Sequence, residues 1–176
     1  IAPSVSSNRE CAACPVGHSC DGSSTTTQCS AGQHAPAGAG TCVDCAQGHA
    51  SSASSASCTQ CAAGHYAPTA SAMCLACARG TYAATGSAAC TSWRTCGAGY
   101  GMTVEGSATH DRTCEACVVG QTYSSESSGS ACLPVTVCGA TQHETVAPTA
   151  SINRECSACP AGHSCDGSAT ATPCNA

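Results

Sequence analysis

The feature that most constrains this chain is its ladder of cysteines, which recurs at short and nearly regular intervals. The 20 cysteines stand at positions 11, 14, 20, 29, 42, 45, 58, 61, 74, 77, 90, 96, 114, 117, 132, 138, 156, 159, 165 and 174. Cysteine above about 8 to 10% of a short chain indicates a disulfide scaffold, and such scaffolds persist in oxidising compartments. The ladder therefore predicts an extracellular protein, either secreted or held at a cell surface.

Large apolar side chains are too few to build an ordinary hydrophobic core. The chain has no Phe, one Trp and two Met, and Leu and Ile occur only at Ile1, Leu75, Leu133 and Ile152. Ala and Cys supply most of the 42% of residues that count as hydrophobic. Burial stabilises by about 25 cal/mol per Å² of apolar area, so cross-links must replace much of that contribution.

The charge pattern argues against two classes of partner. The net charge is −5 and the chain has no Lys, whereas nucleic acids and anionic membranes need a concentrated basic face. No apolar run approaches the roughly 20 residues of a membrane span. We therefore expect no nucleic-acid partner and no membrane span in this piece. Since Ile1 opens in mid-pattern without a signal peptide, the sequence is expected to be part of a longer secreted protein.

A long repeat links the two ends of the sequence. Residues 8–29 read "NRECAACPVGHSCDGSSTTTQC", and residues 153–174 read "NRECSACPAGHSCDGSATATPC", which is a shift of 145 positions. The match predicts that residues 1–29 start one long repeat and that residues 146–176 start the next. We interpret the chain as one period of a longer covalent array plus the start of the next. The alternative is a 176-residue protein whose Cys11 and Cys174 bond head to tail between molecules.

A shorter repeat of 16 residues fills the interval between the two copies. Residues 29–90 hold four short C-x12-C-x2-C units, and residues 90–159 hold longer cysteine-rich modules. Each short unit has a Gly three residues after its first Cys, followed closely by a His or Tyr. Periods this short predict one small supersecondary element per unit, stacked on its neighbours.

These motifs support a resemblance to a known class of repeats. The pattern C-x2-G-x-Y/H, then a Ser/Thr/Ala/Gly-rich arm, then C-x2-C, together with "THDRTCEAC" and "SINRECSAC", resembles tumour-necrosis-factor-receptor and ephrin-receptor-like cysteine-rich modules, as in protist or algal surface fibres of mastigoneme-like type. The resemblance implies a small disulfide-rich fold, mostly irregular with short β-strands. It also implies an elongated rod of stacked units, each of about 16 to 22 residues.

The resemblance also implies a pairing, in which the cysteine that opens a unit bonds to the cysteine that closes it. Connectivity does not follow from sequence alone. Two closely spaced pairs complete the scheme, and Cys11 and Cys174 are left unpaired in this piece, with their partners expected outside it. The implied bonds are Cys29 with Cys42, Cys45 with Cys58, Cys61 with Cys74, Cys77 with Cys90, Cys96 with Cys114, Cys117 with Cys132 and Cys138 with Cys156, and the two close pairs are Cys14 with Cys20 and Cys159 with Cys165.

Zinc is the main chemical alternative to disulfides, because consecutive C-x2-C pairs resemble zinc-ribbon spacing. The changes of spacing at Cys90 and Cys96 would break the tetrads that such sites need.

Acidic residues are few, and no convergent Ser, His and acid triplet stands out. We therefore expect no catalytic residue, no bound cofactor and no metal ligand, although a zinc-binding cysteine array stays open as a minor alternative.

Tracts of Ser and Thr next to Ala and Pro are compatible with O-linked glycans. The chain has no N-x-S/T sequon, since Asn8 and Asn153 are both followed by Arg-Glu. The alternative is that these residues are only solvated loop positions. The candidate acceptors are Ser23, Ser24, Thr25, Thr26, Thr27, Thr69, Thr149, Thr170 and Thr172.

Two classes of function remain in view. The first is a structural extracellular protein, a disulfide-stapled rod that forms a fibre or surface coat with further repeats or other copies of itself. The second is a receptor or adhesin ectodomain that binds a protein or glycan. Such binding surfaces need a few aromatic or Arg anchors, and only Trp93, Arg94, Tyr100 and Met102 cluster in that way. The uniformity of the repeats favours the structural role.

Overall fold

The computed structural model describes residues 12–174, and this part of the chain contains short strands, turns and no helix. Strands that follow one another in sequence pair as antiparallel hairpins, each a separate two-stranded sheet. The predicted fold class, disulfide-rich and mostly irregular with short β-strands, is confirmed. The strands are β1 (His18–Cys20), β2 (Thr26–Gln28), β3 (Gln33–His34), β4 (Val43–Asp44), β5 (His49–Ala50), β6 (Thr59–Gln60), β7 (His65–Tyr66), β8 (Leu75–Ala76), β9 (Thr81–Tyr82), β10 (Thr91–Ser92), β11 (Tyr100–Val104), β12 (Thr113–Ala116), β13 (Thr122–Tyr123), β14 (Leu133–Pro134), β15 (Gln142–Val146), β16 (Glu155–Ala158), β17 (His163–Cys165) and β18 (Ala171–Pro173).

The chain divides into two compact units. The first comprises the described residues up to Ser92 together with Ser107–His110, and the second comprises Trp93–Gly106 and the described residues from Asp111 onward. Residues 12–174 hold no helix of the length and apolarity that a membrane crossing needs.

Each short repeat of the first unit is one hairpin closed by one disulfide. In the third repeat, Cys61 opens the unit, Gly64 turns the chain with a φ of +83°, and β7 follows at once. Its partner β8 is the dipeptide of the C-x2-C motif, with Tyr66 opposite Leu75. A Gly is suited to this turn because it adopts positive φ without a steric penalty. The 16-residue pattern thus encodes a complete local element.

Neighbouring repeats are joined by backbone hydrogen bonds that recur with the same register. The Gly32 N–H donates to the Ser51 carbonyl at 2.8 Å, and one repeat further the Gly48 N–H donates to the Ala67 carbonyl at 2.8 Å. Parallel bridges recur at the same step, from His34 to Ser55, from Ala50 to Ser71 and from Tyr66 to Ser87. Because backbone groups make these bonds, the step does not depend on which side chains face solvent.

The core of the first unit is made of sulfur atoms and small side chains. The opening cysteines Cys29, Cys45 and Cys61 are fully buried, and Ala35 and Ala67 are fully buried beside them. Ser51 takes the same place in the intervening repeat, where its hydroxyl donates to the Gln33 carbonyl at 2.8 Å. The buried small residue explains why a chain so poor in Leu and Ile still packs.

Stacking also reaches two repeats along the chain. Gly32 has a φ of +87°, and a Cβ at this position would overlap the carbonyl oxygen of Ala70. The tenth position of each repeat also has positive φ, whether the residue is glycine or not. These residues are Gly38 (83°), Ser54 (61°), Ala70 (57°) and Gly86 (73°). The close approach therefore requires a glycine on one side and a left-handed turn on the other.

The second unit contains two longer modules that share one geometry. β11 pairs with β12 and β15 pairs with β16, and the register shifts between Met102 and Val104 in one and between Glu144 and Val146 in the other. A bulge of this kind increases local twist and bends the strand. The two modules are therefore one structural type written twice.

We predict that Gly32→Ala destabilises the chain. The substitution should lower the free energy of unfolding by about 2 kcal/mol, because a side chain in the left-handed region costs about 1 to 2 kcal/mol and the new Cβ must displace the Ala70 carbonyl. Thermal or denaturant unfolding with the disulfides intact measures the change. The matched control is Gly40→Ala, since Gly40 is exposed and its nearest neighbour for a Cβ is the Cys20 carbonyl at 3.9 Å. Equal effects of the two substitutions would contradict the prediction.

Candidate functional site

Disulfides close the hairpins and loops of residues 12–174. Eighteen cysteines form nine bonds, with Cα–Cα distances of 5.5 to 5.8 Å. These are the pairs that the resemblance implies: 14–20, 29–42, 45–58, 61–74, 77–90, 96–114, 117–132, 138–156 and 159–165. Cys174 carries an exposed free thiol, and Cys11 lies outside the described residues.

One histidine lies close to a disulfide. Nδ1 of His34 is 3.2 Å from Sγ of Cys58 and 3.1 Å from the Val43 carbonyl oxygen. His34, Cys45 and Cys58 place their ligand atoms within 4.8 Å of one another. Zinc is bound by cysteine thiolates, and Cys45 and Cys58 are bonded to each other. The closed bond leaves His34 to pack beside the sulfur atoms of the next repeat.

The predicted anchors Trp93 and Arg94 make contacts within their own unit. Nε of Arg94 donates to Oδ2 of Asp111 at 2.8 Å. The guanidinium carbon of Arg112 lies 5.6 Å from the centroid of the Trp93 ring, and a Cβ at Gly106 would overlap that ring. Cation–π contact of this kind stabilises a fold. Both anchors therefore have a structural use here.

The other two predicted anchors lie on β11. Tyr100 is 50% exposed, and Met102 is half-buried. Alternate residues of a strand point to the same face, so the two side chains share one face of this hairpin. The Met102 N–H donates to the Ser130 carbonyl at 2.9 Å. Of these two, Tyr100 presents the more open surface.

An Asp or Asn at one position closes the loop of each long module. Oδ1 of Asp111 accepts the backbone N–H groups of Arg94 and Arg112, both at 2.8 Å. Oδ1 of Asn153 accepts the backbone N–H groups of Thr136 and Arg154, at 2.9 and 2.8 Å. The sequence reasoning did not single out this pair. The signal was present in the alignment of "THDRTC" with "SINREC", where Asp and Asn stand at the same place.

The arginine that follows has a different partner in each module. Arg112 stacks on Trp93, whereas Nε of Arg154 donates to Oε2 of Glu144 at 2.6 Å and its Nη1 donates to the Thr136 carbonyl at 3.0 Å. The side chains of Arg154 and Glu144 are 22% and 18% exposed. Both arginines therefore brace the loop that their neighbouring Asp or Asn closes.

The pKa of Asp111 lies below the usual range of an aspartate. The largest cause is the hydrogen bond from the Arg94 side chain, and the backbone N–H groups of Arg94 and Arg112 lower it further, against a desolvation that raises it. The Asp111 side chain is 18% exposed and that of Arg94 is 64% exposed, so water screens the pair. The carboxylate is charged at neutral pH and holds the loop.

The candidate glycan acceptors all lie at exposed positions. This applies to Ser23, Ser24, Thr25, Thr26, Thr27, Thr69, Thr149, Thr170 and Thr172. Some of these hydroxyls also shape turns, since Oγ1 of Thr149 accepts the Ser151 and Ile152 N–H groups at 3.2 and 3.0 Å. The first tract overlaps β2, whose three residues are exposed.

A comparison with known protein families matches one part of the chain. This part spans the last short repeat and the first longer module. Residues 77–114, which contain the Cys77–Cys90 and Cys96–Cys114 bonds, match the family model for the TNFR/NGFR cysteine-rich region. The chain carries TNFR-like cysteine-rich repeats. No curated protein matches the chain.

TNFR-like repeats and a dense set of disulfides are together typical of extracellular or cell-surface proteins. The cytosol keeps most thiols reduced, so nine closed bonds within residues 12–174 fit an oxidising location. The repeats are also modules of a non-catalytic kind.

We predict that Asp111→Asn removes the acid sensitivity of this loop and keeps its fold. Asn retains the Oδ1 acceptor, as Asn153 does, but loses the charge that faces Arg94. Since folding lowers the pKa of Asp111, its carboxylate stabilises the loop above the unfolded value of about 3.9, and this stabilisation is lost as pH falls through the lower folded value. Hydrogen exchange of the Arg94 and Arg112 amides, corrected for intrinsic rates, should therefore accelerate in acid in the natural chain alone.

Asp111→Ala is the control for this experiment. It removes the acceptor altogether, so both amides should exchange faster at neutral pH as well. The same acid response in the natural chain and in the Asn variant would show that the carboxylate is not its source.

Proposed function

We propose that this chain is a structural extracellular protein, an array of disulfide-stapled repeats that forms a fibre or surface coat. The observation that carries the proposal is the repeated backbone register of the first unit. The step from Gly32 to Ser51 recurs from Gly48 to Ala67 and from Gly64 to Ala83, each at 2.8 Å. A joint made by main-chain groups extends by simple repetition of the sequence, which suits a filament built from near-identical units.

The side chains that a ligand would need support the same proposal. Hot spots of protein recognition are enriched in Trp, Tyr and Arg. Here Trp93 packs under Arg112, and Arg94 pairs with Asp111. The partners of a structural array are further repeats of the same chain or other copies of it. We propose no catalytic role and no cofactor apart from glycans.

A receptor or adhesin ectodomain is the second candidate, favoured by one observation. Several valines of the second unit are open to solvent, among them Val118 (54%), Val119 (66%) and Val137 (81%). Val118 and Val119 are consecutive, and exposed apolar residues that form a contiguous patch mark sites of protein contact. The TNFR/NGFR match is compatible with this role. A structural array uses such residues between filaments, and an ectodomain uses them on a ligand.

O-linked glycans on the Ser/Thr tracts belong to the proposed structural role. Glycans on exposed hydroxyls keep a surface coat hydrated and separate neighbouring filaments. The candidate glycan acceptors are exposed, whereas the residues that pack between repeats, Cys29, Ala35, Cys45 and Cys61, are fully buried. Glycosylation of the acceptors therefore leaves the packing between repeats intact.

The array is tested on protein taken from its natural source. After full reduction and denaturation, we expect a species several times larger than the 17.0 kDa of this chain, because the repeats are joined by peptide bonds. Immunodetection with an antibody against residues 44–60 identifies the species. A ladder that collapses on reduction to a single 17.0 kDa band would contradict the array, and a discrete soluble ligand captured at stoichiometric ratio would favour the ectodomain.

The glycans are tested by intact mass. The chain secreted from a host that performs O-glycosylation should exceed its polypeptide mass of 17.0 kDa and should lose the excess on chemical release of O-glycans. Replacing Ser23, Ser24, Thr25, Thr26 and Thr27 with Ala should remove part of the excess, whereas replacing the buried Ser51 should not. A mass equal to the bare oxidised polypeptide would overturn the glycan proposal.

A further inference from the structure

The histidine of β3 lies against the disulfide of the following repeat. Nδ1 of His34 is 3.2 Å from Sγ of Cys58, and a ring nitrogen of His34 lies within 4.8 Å of the sulfur atoms of Cys45 and Cys58. Cys45 is fully buried, whereas His34 and Cys58 are half-buried. Within residues 12–174, this is the one group of three histidine, cysteine or acidic side chains whose ligand atoms converge in this way.

The equivalent position of the next two repeats carries no nitrogen ligand. The recurring parallel bridges place Ala50 and then Tyr66 where His34 stands, each one repeat further along the chain. The corresponding disulfides are Cys61–Cys74 and Cys77–Cys90, and each spans 13 residues, as the disulfide beside His34 does. The histidine therefore distinguishes one disulfide among three of the same length.

Main-chain hydrogen bonds hold this loop on the preceding repeat independently of its disulfide. The Cys45 N–H donates to the Gly32 carbonyl at 2.8 Å, and the Ala35 N–H donates to the Ser55 carbonyl at 3.0 Å. The repeats before and after it are closed by disulfides of their own. Opening of the Cys45–Cys58 bond alone therefore leaves both sulfur atoms close to the imidazole.

We propose that His34, Cys45 and Cys58 bind one zinc ion when the Cys45–Cys58 pair is in its dithiol form. Zinc in proteins binds cysteine sulfur at about 2.3 Å and histidine nitrogen at about 2.0 to 2.1 Å. To share one ion, the two sulfur atoms move apart from bonding contact to van der Waals contact, and the imidazole already lies beside them. Two thiolates balance the charge of the ion, and a water molecule completes the tetrahedron.

This site differs from a zinc-binding array of cysteines. Such an array takes four cysteines from consecutive C-x2-C pairs and replaces disulfides along the whole chain. The proposed site uses one cysteine pair and one histidine, and the neighbouring Cys42 stays bonded to Cys29. The closed Cys45–Cys58 bond excludes the ion, so the site belongs to the reduced form of this repeat alone.

The redox step is a reduction by two electrons that come from thiols. A thiolate attacks Cys58, which is the more open of the two sulfur atoms, and Cys45 leaves as a thiolate. A second thiolate attacks the reductant sulfur of the mixed disulfide and releases Cys58. The two reductant thiols become one disulfide, and two cysteine thiols are formed. Zinc binding then releases the two thiol protons to solvent.

The imidazole changes its tautomer when the ion binds. Nδ1 of His34 is 3.1 Å from the carbonyl oxygen of Val43, which only accepts hydrogen bonds, so Nδ1 carries the hydrogen while the disulfide is closed. A neutral imidazole carries its hydrogen on one of the two ring nitrogens. Zinc takes the lone pair of Nδ1, and the hydrogen is then on Nε2. Val43 is 52% exposed, so water hydrates its carbonyl in the zinc-bound form.

The test measures how zinc shifts the reduction of each disulfide in the full chain. The chain is equilibrated in dithiothreitol redox buffers of increasing reducing power, with and without zinc at a buffered free concentration. After an acid quench that releases the metal, thiols are labelled with a maleimide and located by peptide mapping. Zinc should favour the dithiol form of Cys45–Cys58 by about tenfold for each tenfold excess of free zinc over its dissociation constant. Cys61–Cys74 and Cys77–Cys90 are internal controls and should not respond.

Two variants exchange the residues at the equivalent positions. His34→Tyr keeps a ring of the kind that Tyr66 places there, and it should abolish the zinc response of Cys45–Cys58. Tyr66→His should give a zinc response to Cys77–Cys90. Amide exchange at Ala35, measured with all disulfides closed, should match the natural chain and shows that each variant is folded.

The contrary results are equally specific. An equal zinc response at all three disulfides, or a full response in His34→Tyr, would show that zinc binds any released pair of thiols, and the proposal would be overturned. Absence of a zinc response at Cys45–Cys58 in the folded natural chain would also overturn it.

Discussion

The constraint on which this structure depends is the closure of many short loops, one after another, by disulfide bonds. A closed loop of about 15 residues stabilises a fold by about 3 kcal/mol in the chain-entropy view. Most of the bonds here span 13 to 18 residues and follow one another along the chain. They let a chain with no Phe and two Leu hold a defined fold. The surface is then free to be rich in Ser, Thr and Ala.

Closed loops stack only if their backbones come very near to one another. That need places glycine at Gly17, Gly32 and Gly48, and a small residue at Ala35, Ser51 and Ala67. Most other positions of a repeat are free to vary, because main-chain groups carry the bonds between repeats. An array of this kind is better suited to lengthening by added repeats than to forming a specific ligand pocket.

Several features of the site could be predicted from the sequence, and others could not. The sequence shows that Trp93 and Arg94 are adjacent, but it does not show that Trp93 contacts Arg112 or that Arg94 pairs with Asp111. Asp111 lies 17 residues beyond Arg94, and only the folded loop brings its carboxylate to the Arg94 guanidinium. The pairing of Asn153 with Thr136 repeats this arrangement without charge. An alignment of the two long modules would have shown the shared Asp and Asn, whereas the contact of Arg112 with Trp93 has no counterpart in the other module.

The sequence by itself determined the repeat lengths, the disulfide-rich fold class and the likeness to TNFR repeats. It could do so because each short repeat contains its own hairpin and cysteines within about 16 residues. The tertiary structure alone decided which equivalent residues are buried. Cys45 and Cys77 open equivalent short repeats, yet Cys45 is fully buried and Cys77 is only half-buried. It also decided that Ser54 and Ala70 adopt positive φ like Gly38 and Gly86. The burial of these residues and the positive φ values both depend on the register between repeats. No single repeat encodes that register, because burial depends on what packs against a surface.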